Sequence, residues 1–358
     1  MSQAHPPEPT LFVAPVWSDA QREANFNAWL TGLASAHGLL INSLRSASAD
    51  ASFRRYFRVD SPQGSRIIMD APPDQEDCHP FVRIAQLMAE ANVLVPQVLA
   101  WDQAKGFMLL TDLGEKTMMQ VIKRDDPQAN QGLYLQAVDA LIAWQTASTP
   151  GLLPEYDEVL LRRELALFPE WYLARHRGVA VEGEVRRTLD DAFKHIIKCN
   201  LAWPSVYVHR DFMPRNLMVG SKAMGVLDFQ DAVYGPITYD IASLMRDAFL
   251  SWDEDFCLDI TIRYWEKARK AGLPVGDDFG EFYRGVEWMG LQRHLKVTGI
   301  FARLTLRDGK PQYLADTPRF INYIRATCER YRELKPLLRL IERVEGIEVA
   351  SGYTFGRI

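Results

Sequence analysis

The spacing of apolar residues shifts from a mainly strand-like to a helical period near residue 115, and this limits the fold more than any other feature. Between residues 53 and 111 the apolar positions fall in short segments with a two-residue rhythm. These are 53–59 (FRRYFRV), 65–69 (SRIIM), 97–101 and 106–111 (GFMLLT), with one helix expected at about 79–91. From residue 115 apolar positions return every three or four residues. This predicts helices at about 129–147, 157–177, 183–200, 239–250, 253–270, 277–303 and 317–343. One more helix is expected at 18–37, where Ser18 or Asp19 can cap it and Phe26, Leu30 and Leu33 recur at helical spacing. Strands gathered in one part of a chain and helices in another predict an α+β fold. At 358 residues the chain is long for one core, so two lobes are expected. The divisions are a loose proline-rich arm at 1–17, a β-rich lobe at 18–113 and a helical lobe at 114–358.

Composition narrows the class. A hydrophobic fraction of 47%, a charged fraction of 24% and a net charge of −5 describe an ordinary globular chain. The acidic balance argues against nucleic acid as a partner, and no Lys/Arg run suggests a membrane surface. Cys78, Cys199, Cys257 and Cys328 are far apart with no CxxC pair, so they are expected to be buried or free thiols in a reducing compartment. The N-terminal MSQAHPPEPTLF lacks a basic start and an apolar run, and no segment approaches the ~20 apolar residues that span a bilayer. A cytoplasmic protein is expected. No internal repeat is visible.

The helical part holds one anomaly, VYVHRDFMPRNLMV at 206–219. An apolar strand ends abruptly in His209, Arg210 and Asp211, Asn216 follows, and a further apolar strand ends at Asp228 in GVLDFQDA. Asp211, Asn216 and Asp228 on two short strands look like a site for chemistry rather than a turn. The twelve-residue interval from Asn216 to Asp228 suits a tight β-hairpin.

These residues resemble the protein-kinase-like fold in its aminoglycoside phosphotransferase branch. His209 to Asn216 matches the pattern H-x-D-x-x-x-x-N, and Asp228-Phe229-Gln230 stands where D-F-G would, with glutamine for glycine. The resemblance implies a two-lobe kinase using ATP and Mg²⁺, with Asp211 as the base and Asn216 and Asp228 as metal ligands. The chemistry fits, because phosphoryl transfer needs a base beside the acceptor hydroxyl and hard oxygens for Mg²⁺. It also implies that Asp240, in Tyr239-Asp240-Ile241-Ala242, supports the loop together with His209. A plain helix-terminal carboxylate is the alternative for Asp240.

The small lobe departs from this pattern. The phosphate turn, Ser48 to Phe53, has no glycine, although Ser52 can donate to phosphate. Met69 stands where the resemblance implies a lysine, and Phe81 where it implies the paired glutamate. Loss of both together is what a buried ion pair should do. The replacement cation is sought in SFRRYFRV: Phe53, Arg55, Phe57 and Val59 share one face and Arg54, Tyr56 and Arg58 the other. The more apolar face is expected to look into the cleft, so Arg55 is the first choice and Arg54 the second. Thr111, Asp112 and Leu113 are expected to present backbone groups to adenine.

Acceptor candidates come from two stretches. One holds Arg162, Arg163 and Glu164, then Glu170 and Trp171, with Pro169 expected to kink the helix. The other, Trp288 to Lys296, carries Gln292 and Arg293. With MDAPPD, DASFRRYFRV and GIFARL, these stretches resemble bacterial kinases of cell-wall recycling that phosphorylate N-acetylmuramate and N-acetylglucosamine at the anomeric hydroxyl. A small-molecule sugar is therefore the expected partner. The alternatives are another hydroxyl acceptor (an aminoglycoside, choline or homoserine) or a nucleotide-binding pseudokinase scaffold. The intact Asp211, Asn216 and Asp228 set argues against the scaffold.

Overall fold

A computed structural model describes residues 16–49, 53–220 and 223–347. Most of the expected arm at 1–17 lies outside the described residues, as does Ser52. The chain forms two compact units. One is residues up to Lys116 with Met218–Gln230, and the other is Thr117–Leu217 with the residues from Asp231 onward.

The first unit is a five-stranded antiparallel sheet. Its strands are β1 (Leu40–Ala49), β2 (Arg55–Asp60), β3 (Arg66–Asp70), β4 (Val98–Asp102) and β5 (Phe107–Thr111), in the order β1-β2-β3-β5-β4. Helix α1 (Ala20–His37) starts at Asp19, whose carboxylate accepts from the amides of Gln21 and Arg22, and stops at Gly38 in the left-handed region. Phe26 and Leu30, one turn apart, bury completely against Phe57, Val59, Ile68, Phe107 and Leu109. Register gives the sheet two faces. Phe57, Ile68 and Leu109 pair across the strands under α1, and Tyr56, Met69 and Met108 pair on the opposite face. Helix α2 (His79–Glu90) follows β3.

The second unit is mainly helical: α3 (Met118–Val121), α4 (Gln131–Thr146), α5 (Glu158–Leu165), α6 (Gly183–Leu201), α7 (Thr238–Met245), α8 (Glu254–Lys270), α9 (Phe279–Leu306), α10 (Thr317–Arg330) and α11 (Lys335–Glu345). Strand β6 (Ser205–Val208) enters the anomalous loop. A short hairpin of β7 (Leu217–Val219) and β8 (Met224–Val226) follows that loop. Then β9 (Val233–Pro236) returns antiparallel to β6. Residues 218–226 of the hairpin belong to the first unit, where Val219 N–H donates to Lys116 O and Val226 N–H to Leu94 O. Gly225 fits a tight place in this hairpin: a Cβ there would lie 2.9 Å from the Leu113 side chain, which would have to shift.

The structure corrects several expectations. Strand β1 was not expected, because LINSLRSASA has no apolar alternation; its pairing with β2 is irregular, with two register shifts. β9 was also missed, since VYGP is too short to show a period. The helix expected at 157–177 is two: α5 ends at Leu165, and a π-helix runs from Phe168 to His176 with Pro169 in its first turn. Proline supplies no N–H and crowds the preceding turn, so the i→i−4 ladder cannot pass through it. The helix expected at 317–343 breaks at Tyr331, which is extended, and Pro336 lies in the first turn of α11. Among the described residues all four cysteines are free, and no helix is long and apolar enough to cross a membrane.

Gly299 on α9 approaches the carbonyl of Leu167, where a Cβ would lie 2.4 Å from backbone C and O. Backbone cannot swing aside as a flexible side chain can. Gly299→Ala is expected to destabilise the fold by about 1–3 kcal/mol, the usual range for overpacking. An unchanged denaturation midpoint would contradict this contact.

Candidate active site

The loop between β6 and β7 is held by groups from its own unit. Buried Asp240, in the first turn of α7, accepts the His209 amide at 2.7 Å and the Arg210 amide at 3.0 Å. Two consecutive amides on one carboxylate fix the direction of the chain as it leaves β6. Burial pushes the Asp240 carboxyl up to about 6, against the pull of His209 and the two amide bonds. The His209 ring is fully buried, and its Nδ1 accepts the Asp211 amide at 3.2 Å, which assigns the proton to Nε2. Asn216 Nδ2 donates to Asp211 O at 2.9 Å. The Asp211 side chain is 42% exposed, and Arg293 Nη2 lies 4.0 Å from its Oδ1.

Arg210 has φ +77°, which is unfavourable for a side-chain-bearing residue by roughly 1–2 kcal/mol. The surroundings compensate. Its amide goes to Asp240, its carbonyl accepts Arg293 Nη1 at 2.6 Å, and its Nη2 donates to Glu164 Oε1 at 2.7 Å. Glu164 is buried on α5 and also accepts Lys296 Nζ at 2.7 Å, Tyr156 Oη at 2.6 Å and Gln292 Nε2 at 2.9 Å. Burial alone would raise the Glu164 carboxyl, but the charges of Lys296 and Arg210 outweigh it and hold the group near about 2. Gln292 and Lys296 are one turn apart on α9, so they meet Glu164 from one face.

In the first unit, Asp228 follows β8 with φ +63°, and its Oδ1 accepts Gln230 Nε2 at 2.8 Å. Phe229 is buried and its ring meets that of Phe81 at 4.9 Å. Met69 is fully buried on the sheet face opposite α1. Arg55 lies on the α1 face. It bonds buried Asp70 (Nε to Oδ2, 2.9 Å) beside Arg22, which donates to Asp70 Oδ1 at 2.8 Å, and stacks 4.0 Å from the Trp17 ring centre. Arg54, on the other face with Met69, is 8% exposed and pairs with Glu76 at 3.1 Å. The Asp112 carboxylate accepts Arg58 Nε at 2.6 Å, Ser65 Oγ at 2.7 Å and the Gly114 amide at 2.9 Å. The Thr111 amide is committed to Gln97 O at 3.0 Å. Leu113 packs beside Gly225.

Of the acceptor candidates, the structure brings Arg293 onto the loop directly and Gln292 through Glu164. Glu170 and Trp171 lie on the π-helix instead, where Glu170 is exposed and pairs with Arg175, whose guanidinium covers Trp171 at 3.9 Å. Glu164 and Lys296 fall within the two acceptor stretches, but the sequence does not mark them as the pair that anchors the loop. Their readable signal is a charge on an apolar stripe, since Leu161, Glu164 and Leu165 share the buried side of α5.

A small antiparallel sheet followed by helices, with an HRD loop and a hairpin leading to Asp-Phe-Gln, defines a protein-kinase-like fold. Solved structures share it at low identity. A choline/ethanolamine kinase family protein from Mesorhizobium loti aligns with a TM-score of 0.61 at 15% identity, covering 90% of this chain and 99% of that one. An ethanolamine kinase from Plasmodium vivax aligns at 0.60 with 13% identity, covering 92% and 94%. Residues 43–278 match the phosphotransferase enzyme family, and the chain belongs to it. Two curated relatives are called N-acetylmuramate/N-acetylglucosamine kinase. The one from Neisseria meningitidis is 47% identical over 94% of this chain and 100% of its own length; that from Pseudomonas aeruginosa is 48% identical over 90% and 97%.

The Asp240 geometry generates a pH prediction. Protonation removes acceptor capacity facing the two amides, so kcat should fall as pH drops through about 6. Stability moves the other way: a carboxyl whose folded value lies above its unfolded one makes the fold relatively more stable as pH falls through that window. Asp240→Asn should have a lower kcat that is flat across pH 6. An Asp240→Asn profile with the wild-type acid limb would assign that limb to another group.

Proposed function

We propose that the protein is an ATP- and Mg²⁺-dependent kinase of N-acetylmuramate and N-acetylglucosamine that phosphorylates the anomeric hydroxyl. The observation that carries this reading is near-half identity to relatives of that name across almost their whole length. The loop geometry supports the chemistry. Asp211 combines an exposed carboxylate with a backbone fixed at its amide by His209 and at its carbonyl by Asn216.

In the proposed mechanism Asp211 accepts the proton of the sugar hydroxyl as the oxygen attacks the γ-phosphorus, and the bond from that phosphorus to the β,γ-bridging oxygen breaks so that ADP leaves. Asn216, whose amide nitrogen donates to Asp211 O, is proposed to offer its amide oxygen to the metal, and Asp228, an exposed residue, its carboxylate. Among the described residues no three His, Cys, Asp or Glu side chains gather as a metal cluster. Carboxylate and amide oxygens are each ligand types that Mg²⁺ takes, with its remaining ligands coming from phosphates and water. When bound, the ion would offset charge on the transferring phosphoryl group. Arg54 is proposed as the phosphate cation in place of Arg55, because Arg55 is locked to Asp70 on the α1 face. Arg54 shares the face of Met69, where the family's lysine would stand, and its pairing with Glu76 parallels the absent Lys–Glu pair.

Three measurements test this. Asp211→Asn should lose roughly 10²–10⁴ in kcat, the range of a positioned base, with ATP·Mg²⁺ binding retained; turnover within about tenfold of wild type would remove Asp211 from the role. Amino sugars should give a 1-phosphate, a 1-O-methyl glycoside should be inert, and faster turnover of kanamycin-type compounds would move the reading to an aminoglycoside kinase. Arg54→Ala should raise the KM for ATP, whereas Arg55→Ala should lower thermal stability with little change in KM. The reverse pattern would restore Arg55 as the phosphate cation.

A further inference from the structure

We infer that Glu164 is a positioning residue for phosphoryl transfer: through Arg210 it fixes the backbone that leads into Asp211 and so aims that carboxylate. The inference rests on the reading of Asp211 as the base. Arg210 immediately precedes Asp211 and sits in the left-handed region, so its peptide units hold their orientation only while the surroundings enforce it. Three helices supply that enforcement at three different groups. Asp240 on α7 takes the amide, Arg293 on α9 takes the carbonyl, and Glu164 on α5 takes the guanidinium. The guanidinium's other bond, to Asp231 O, is long at 3.4 Å, so Glu164 is its charged anchor.

A purely structural role would not need Arg210. Glu164 already ties α5 to α9 through Lys296 and Gln292 and accepts from Tyr156. The bond to Arg210 extends that tie onto the loop. Side-chain rotation of Arg210 is thereby coupled to the peptide unit it shares with Asp211, and a small rotation there displaces the Asp211 carboxylate. Displacements of that scale far from the bond being made are enough to lower rate while leaving nucleotide binding alone.

The test is a double-mutant cycle on the full-length enzyme. Arg210→Met keeps the buried Glu164–Lys296 pair balanced and serves as the folding-safe variant. It is expected to lower kcat by about 10²-fold with nucleotide affinity unchanged. Glu164→Gln should lower kcat to a similar extent and also lower the melting temperature, because two buried cations lose their counter-charge. If Glu164 acts through Arg210, the double variant loses about 10²-fold rather than 10⁴-fold, since the second change finds the latch already open. Multiplicative losses, or an Arg210→Met kcat within about threefold of wild type, would overturn the inference even if Glu164→Gln failed to fold. The cycle compares rates on whichever acceptor the wild type phosphorylates, so it is independent of the sugar's identity. An active Asp211→Asn would sink the base assignment separately.

Discussion

A single carboxylate in the helical unit, that of Glu164, accepts hydrogen bonds from Tyr156, Arg210, Gln292 and Lys296. Burying these charges is costly, and the cost is offset only while every partner is present. This explains features that look unrelated in sequence. The α9 helix carries Gln292, Arg293 and Lys296 on a buried surface, where isolated polar groups would be unfavourable. Gly299, a turn further on, lets α9 approach the chain just beyond α5 closely enough for those side chains to reach. The change from α5 to the π-helix that holds Pro169 places Glu164 in the last turn of a short α-helix.

The sheet unit solves a different problem. A lysine at a position as buried as Met69 would need a counter-ion beside it. Met69 is instead buried between Tyr56 and Met108, and Phe81 packs on Phe229, so both positions are filled by apolar contact. Charge returns one strand away as Arg54–Glu76, whose acid precedes α2 instead of lying within it. Asp112, expected at a nucleotide edge, is held by Arg58 and Ser65, which makes its carboxylate a brace for the turn at Gly114.

The strongly periodic elements were legible from sequence: α1 with its Asp19 cap, the sheet strands with two-residue rhythm, and the helix cores after residue 115. So was the HRD loop, because it interrupts an apolar pattern with residues that only a site or a cap would need. The illegible parts share a cause. β1 and β9 derive their pairing from neighbours, not from their own period. The direction of Arg54 and Arg55 was misjudged because alternation separates the two faces without saying which one α1 covers. The more apolar face, with Phe57 and Val59, proved to be the packed one. Glu164 fell in an acceptor stretch, but its role as an anchor was not legible, because its charged partners lie 46 and 132 residues away, which no local pattern records.

The same network changes how acceptor choice should be understood. Arg293 and Lys296 place two positive charges within one turn of α9. In the fold, Lys296 and Arg210 are spent on Glu164, and Arg293 lies against the Arg210 carbonyl and near Asp211. Part of this positive charge is therefore offset locally, and the field left to act on a ligand is weaker than three free cations would give. On the proposed reading, discrimination then comes from what is missing. A polycationic acceptor would shed water from several ammonium groups and find no cluster of uncommitted carboxylates on this loop to replace it, whereas a neutral or singly anionic amino sugar has no such cost. Arg293 retains its charge beside Asp211, and a ligand carboxylate would gain from it what an ammonium group would lose.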